Sequence, residues 1–306
     1  MIDPSELLTT HWGMDAPQVS PLGGGMNSET WLVEHAGATY VAKRVAPAGV
    51  ADLLAGSEVA IALAGAGFVT GRPIPTRDGR LVLAEHGLAL LEHVPGRELD
   101  GETDQEQEWI AEVLAGVHAA GGPQVGPATG MFGVDWLSPD RPGVADRPWL
   151  TTAIRAVREE TGGLRLTWSV LHTDPAPEAF LHDAATGVTA LIDWAGSRRG
   201  PILYDVASAV MYLGGADHAS AFLRTYRATG PVPDDELEHL DAFRRLREVV
   251  QGIYFAGRLA TDDLTGGIDH ADNVKGLDDA RRRLGALGLD TADTADAADA
   301  ADAAGA

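Results

Sequence analysis

The chain has 306 residues, with 45 Asp and Glu against 23 Lys and Arg, a formal net charge of −22 at pH 7 and no cysteine. Without thiols there are no disulfides, thiolate metal sites or cysteine nucleophiles, and such acidity argues against a nucleic-acid partner, which needs a basic face to release counterions. A hydrophobic share of 45% and the chain's length suit a globular protein with one large core or two lobes.

No apolar run is expected to reach the length of a membrane span, and residues 1–6 show no basic region followed by an apolar core. A cytoplasmic location and no membrane partner are the resulting expectations. The acidity has two readings, a solvated surface or a field that attracts a cationic small molecule. Part of it lies in a tail where Asp290, Asp293, Asp296, Asp299 and Asp302 recur every third residue in an Ala/Thr background. Residues 287–306 have little to bury and are expected to be disordered or transiently helical.

In chain order, a helix-like segment at 5–12 leads into residues 19–22 and a turn of Gly23, Gly24, Gly25, Met26, Asn27 and Ser28. Strand-like runs follow at 30–34 and 39–45. Glycines in the first turn let backbone amides approach phosphate oxygens, and Asn27 or Ser28 adds a side-chain hydrogen bond; a plain flexible turn is the alternative. Lys43 lies in the second run. A helix pattern at 56–64 carries Glu58. Residues 80–84 and 88–94 read as two antiparallel strands, and the exit over Glu92, His93 and Val94 as the connector between lobes. Helices are expected at 104–120, 148–161, 204–214, 219–229 and 234–259, interrupted by a strand-like region at the centre.

That central region holds the chemistry. His172, Thr173 and Asp174 precede Pro175 and Pro177, and after a short turn Asp193 follows Leu191 and Ile192. A second phrase, Gly200, Pro201, Ile202, Leu203, Tyr204, Asp205, Val206 and Ala207, opens a helix in which Asp205 sits in the first turn, a position where a carboxylate also serves as a simple helix cap. A third, residues 114–118, ends in His118.

With these phrases and Lys43, the chain resembles the aminoglycoside phosphotransferase and choline kinase superfamily from about Leu22 to about Gly266. The resemblance implies an α+β, two-lobed protein-kinase-like fold: a small antiparallel-sheet lobe with one main helix over 1–95 and a mostly helical lobe over 96–286. It also implies ATP, or GTP, with Mg2+. The nucleotide would be held by Gly24, Gly25, Asn27, Ser28, Lys43 and Glu58, with Glu92, His93 and Val94 along the adenine edge. Asp174, with His172, would be catalytic; Asp193 would hold metal; Asp205 would brace the catalytic loop.

The chain departs from that pattern at Thr173, where glycine is usual, and at Ala179, where the family has an asparagine that binds a second metal. Glu178 either replaces that ligand or faces solvent. Two functions follow. One is an ATP-dependent phosphotransferase acting on a hydroxylated small molecule, with a cationic group compatible, such as an aminoglycoside-like antibiotic or an amino alcohol. The other is a nucleotide-binding pseudokinase or scaffold. Trp194, Arg198, Tyr226, Tyr254, Asp262 and Asp263 are candidate acceptor-site residues, and the sequence leaves the oligomeric state open.

Overall fold

The computed structural model describes residues 4–23, 25–127 and 137–289. A short helix, α1 (Ser5–Leu7), continues as a wider turn over Leu8–Trp12 and stops at Gly13, whose φ of 75° is left-handed. Strands β1 (Gln18–Leu22), β2 (Ser28–His35), β3 (Ala38–Val45) and β4 (Leu88–Glu92) pair antiparallel in the order β1-β2-β3-β4. Alternation is visible in β2, which buries Trp31 and Val33, and the β2–β3 turn uses Ala36 and Gly37 at φ of 51° and 80°, the geometry that suits the strand twist. Leu8, Met14, Ala42, Leu83, Leu88 and Leu90 complete a core on this sheet.

The strand expected at 80–84 does not form. Leu83 and Leu88 exchange backbone hydrogen bonds around a tight turn, and the Arg80 amide donates to Thr76 Oγ1 at 2.8 Å, so a single bridge remains. The helix expected at 56–64 is longer, α2 (Val50–Gly65), because Pro47 starts a turn that leads into it. Residues Pro47–Gly65 are long and apolar enough to cross a membrane, with a mean hydropathy of 1.5, which corrects the expectation that no run reaches that length. The apolarity comes from Ala, Leu, Val and Ile, and the small residues Gly56, Ser57 and Ala60 are buried inside the protein.

Past the connector come β5 (Arg97–Glu98), α3 (Asp104–Ala120), β6 (Gln124–Pro127), α4 (Pro148–Thr161) and β7 (Arg165–Leu171). Next are β8 (Phe180–Asp183), β9 (Val188–Leu191) and β10 (Arg198–Pro201), then α5 (Leu203–Tyr212), α6 (Ser220–Thr229), α7 (Asp234–Leu237), α8 (Leu240–Thr261) and α9 (His270–Ala286). Small sheets β10-β7-β6 and β5-β8-β9 frame the central loop. The single helix expected over 234–259 is split because Glu236 turns inward, accepting from the Thr167 amide and hydroxyl at 2.7 Å each. The large core of this lobe runs from Ile110 and Leu114 through Phe180, Tyr204 and Phe243, and it takes in Ala60 and Leu63 of α2. That helix therefore belongs to both lobes. The expected tail lies mostly outside the described residues.

Candidate active site

Asp205 organises the central loop. Fully buried at the start of α5, it accepts from the backbone amides of His172 (2.7 Å, Oδ2) and Thr173 (2.8 Å, Oδ1), and Oδ2 takes a third contact from His118 Nε2 at 3.1 Å. A carboxylate only accepts, so His118 Nε2 donates here, and its Nδ1 lies 2.7 Å from the Tyr226 hydroxyl. Thr173, at the usual glycine's place, has a φ of 74°. For a β-branched residue this costs on the order of 1–3 kcal/mol, and the Asp205 bond and a 3.0 Å bond from Thr173 Oγ1 to the Gly196 carbonyl hold it there.

His172 does not face the cleft. It is buried, its Nε2 donates to the Ile192 carbonyl at 2.8 Å, and its ring meets Trp194 edge-on at 4.9 Å. Its role is to tie the loop to the segment that presents Asp193. Asp193 itself adopts left-handed backbone at φ 66° and forms an ion pair with Lys43 of β3. Burial pushes the Asp193 carboxyl up, yet the Lys43 ammonium outweighs it and holds the group below the ordinary carboxylate range.

Asp174 stands at the loop's outer edge with its side chain 64% exposed. The Tyr212 hydroxyl and Arg247 Nη2 (2.9 Å) both donate to its Oδ1. Burial, reinforced by the Asp174 carboxylate, pushes the Tyr212 phenol well up against the pull of Arg247, so it remains a donor.

Other expected groups fall elsewhere. Glu58 is exposed on α2 and forms no pair with Lys43: the helix turns Gly56 and Ser57 inward instead, and Gly56 lies against the Trp194 carbonyl where a Cβ would overlap. Asn27 accepts from the Tyr254 hydroxyl at 2.8 Å, while Gly25 remains in the turn beside Ser28. Gly24 lies outside the described residues. Along the connector, the Glu92 amide donates to the Arg72 carbonyl at 2.9 Å; His93 is exposed, and the Val94 side chain approaches Gly71, whose φ is 61°.

Of the acceptor-site candidates, Trp194 and Tyr226 are buried, Arg198 pairs with Asp52 and Asp263 with Arg258. Asp262 closes α8 in left-handed backbone, and Tyr254 alone reaches the glycine turn. Arg247 and Tyr212 were not anticipated. One signal existed, since Arg247 falls among Phe243, Leu246 and Val250 on the apolar side of α8.

Ala179 is buried and offers no ligand, Glu178 is exposed, and among the described residues no three His, Asp or Glu side chains gather as a metal site. The donor set fits one magnesium held by Asp193 together with phosphate oxygens and water, the usual arrangement for this ion. It does not fit a second metal.

A sheet lobe, a helical lobe and a carboxylate-bearing loop between them define a two-lobed, protein-kinase-like fold. The chain belongs to the phosphotransferase enzyme family, whose model matches residues 18–247. Among solved structures, it is similar to amicoumacin kinase hAmiN in complex with AMP-PNP, Ca2+ and Ami, at 15% identity and a TM-score of 0.71, covering 91% of each chain. It is also similar to the choline kinase LicA from Streptococcus pneumoniae, at 18% identity and a TM-score of 0.69 over 92% of this chain and 97% of that one. A microcompartment-associated aminopropanol kinase aligns at 19% identity with a TM-score of 0.64, over 94% and 98%. No curated protein matches the chain in sequence.

Proposed function

We propose that the protein is an ATP-dependent phosphotransferase that moves the γ-phosphate to a hydroxyl of a small molecule, an aminoglycoside-like antibiotic or an amino alcohol. The observation that carries this reading is the Lys43–Asp193 pair, which brings a strand lysine of one lobe onto the carboxylate of the other. Tied to it through His172–Ile192 and Thr173–Gly196 is the loop that exposes Asp174. GTP is the alternative donor, since the connector offers chiefly backbone groups. Amicoumacin, choline and aminopropanol kinases among the structural relatives support a small-molecule acceptor.

In this mechanism Lys43 and the amides of the glycine turn draw the phosphates into line, and Asp193, kept ionised by Lys43, would hold magnesium. When bound, that ion neutralises phosphate charge. Asp174 orients the acceptor hydroxyl and takes its proton late in transfer; positioning and charge supply most of the rate.

The test is incubation with magnesium and ATP or GTP against a panel of amino alcohols, choline and aminoglycosides, following nucleoside diphosphate release and the mass gain of one phosphate. Acceptor-dependent release supports the reading. Nucleotide binding with no transfer to any acceptor would favour the second reading, a pseudokinase, which the alanine at 179 and the solvent-facing Glu178 support.

A further inference from the structure

We propose that Arg247 and Tyr212 are positioning residues that select which oxygen of Asp174 acts as the base; this rests on the phosphotransferase reading. Arg247 is buried in α8, its side chain 4% exposed, and Asp174 is its one ion-pair partner among the described residues. Its Nε donates to Ser208 Oγ at 3.0 Å and its Nη2 to the Tyr212 hydroxyl at 3.1 Å. The guanidinium carbon lies 5.9 Å from the Tyr204 ring centroid and 5.6 Å from that of Tyr212.

Burying a guanidinium is costly, and such a pair is a weak source of stability. Here the buried cation is matched to a carboxylate that is mostly in solvent, an arrangement that holds the exposed group in place better than it strengthens the core. Stereochemistry narrows the role further. Tyr212 and Arg247 both donate to Oδ1, and Oδ2 has no partner among the described residues. The methyl of Ala179, on the same loop, cannot orient either oxygen. Rotation of the carboxylate is therefore set from α5 and α8, and Oδ2 is the oxygen presented to the acceptor.

The chemical step balances without a further reactant. The acceptor oxygen attacks the γ-phosphorus, the bond from that phosphorus to the β–γ bridging oxygen breaks, and ADP leaves with the electron pair. The hydroxyl proton passes to Asp174 Oδ2. Arg247 and Tyr212 act through Asp174, whose carboxylate they hold.

The experiment uses the full chain with magnesium and ATP, water serving as acceptor, and reads kcat and KM for ATP from ADP release. Tyr212→Phe, which keeps the ring, is expected to lower kcat about tenfold, and Arg247→Ala about a hundredfold, as expected for lost hydrogen bonds to a charged group. KM for ATP should stay within about twofold in both. Guanidinium at low millimolar concentration should restore part of the Arg247→Ala rate, a response that a purely structural role does not give.

Unchanged kcat in Tyr212→Phe overturns the proposal, as does an Arg247→Ala loss that guanidinium does not reverse and that raises KM for ATP equally. If the wild type neither binds nor turns over ATP, the phosphotransferase reading itself falls and takes the proposal with it. That outcome shows in the wild type alone and so is distinct from the others.

Discussion

Asp205 gathers two backbone amides and a histidine N–H on one carboxylate with no solvent exposure. Replacing it with alanine strands all three donors in a dry site, and each unpaired donor costs about 1–3 kcal/mol. Urea unfolding of Asp205→Ala should show a loss of about 3–5 kcal/mol, the range for breaking a buried charged network; a loss below about 1 kcal/mol would contradict the bracing role.

Glu248, also on α8, is the opposite case. Its side chain is 5% exposed, its Oε2 has no hydrogen-bond partner among the described residues, and the Arg283 guanidinium is 3.8 Å away. Burial pushes its carboxyl from the ordinary 4.5 up to about 7, with Arg283 and Arg247 pulling the other way. A carboxyl raised in the folded state binds more protons there than in the unfolded chain. Its contribution is therefore most favourable below pH 4.5, falls as pH rises to about 7, and is flat beyond. Glu248→Gln should remove that slope and raise stability at pH 8 by up to about 3 kcal/mol, measured by urea unfolding at pH 5 and pH 8. An unchanged slope would show that Glu248 is ionised throughout.

Among the elements, α2 decides how the lobes meet. Leu53, Gly56, Ser57, Ala60 and Leu63 form its inner face, and Gly56 lets it lie against the Trp194 carbonyl. Gly56→Val should push the helix off that turn, costing about 1–3 kcal/mol as overpacking does, and raise KM for ATP, because Lys43 and Asp193 meet across the same junction. Gly65→Ala, at a position with open space around it, is the control and should change stability by less than about 1 kcal/mol.

The same helix marks what sequence could and could not show. Its existence followed from apolar spacing, and so did the β2–β3 hairpin, α3 and α5, whose periodicities are local. Its rotation did not: one helical position separates Ser57, turned inward, from Glu58, turned outward, and the determinant is a carbonyl more than a hundred residues away. Residues 80–84 have strand composition, yet their backbone groups are used by a turn. The split between α7 and α8 depends on Glu236 reaching Thr167, a contact 69 residues apart in sequence. Asp174, Asp193 and Asp205 were legible because their spacing is itself the motif. Arg247 was not, because it reaches Asp174 from another helix.

At the scale of the whole molecule, the sheet has a core of its own, α2 packs into the core of the helical lobe through Ala60 and Leu63, and polar ties also cross between the lobes. Lys43 reaches Asp193, Arg198 reaches Asp52, and Tyr254 and Arg258 reach Asn27 and the Met26 carbonyl in the glycine turn. Gly266, at φ 81°, packs on that turn so closely that a Cβ there would lie 2.6 Å from the Gly25 carbonyl oxygen. A ligand that binds across this junction in the folded state should stabilise the protein by linkage.

The most direct test of nucleotide use is the melting temperature of the protein with saturating magnesium and ATP, compared for wild type, Lys43→Ala and Asp193→Asn. At about a hundred times Kd, binding to the folded state alone adds about 2.7 kcal/mol, a rise of about 4 °C for a chain of this size. The cleft geometry predicts that rise in the wild type and its loss in both variants. No rise in the wild type, or an undiminished rise in both variants, would contradict a nucleotide site built on Lys43 and Asp193.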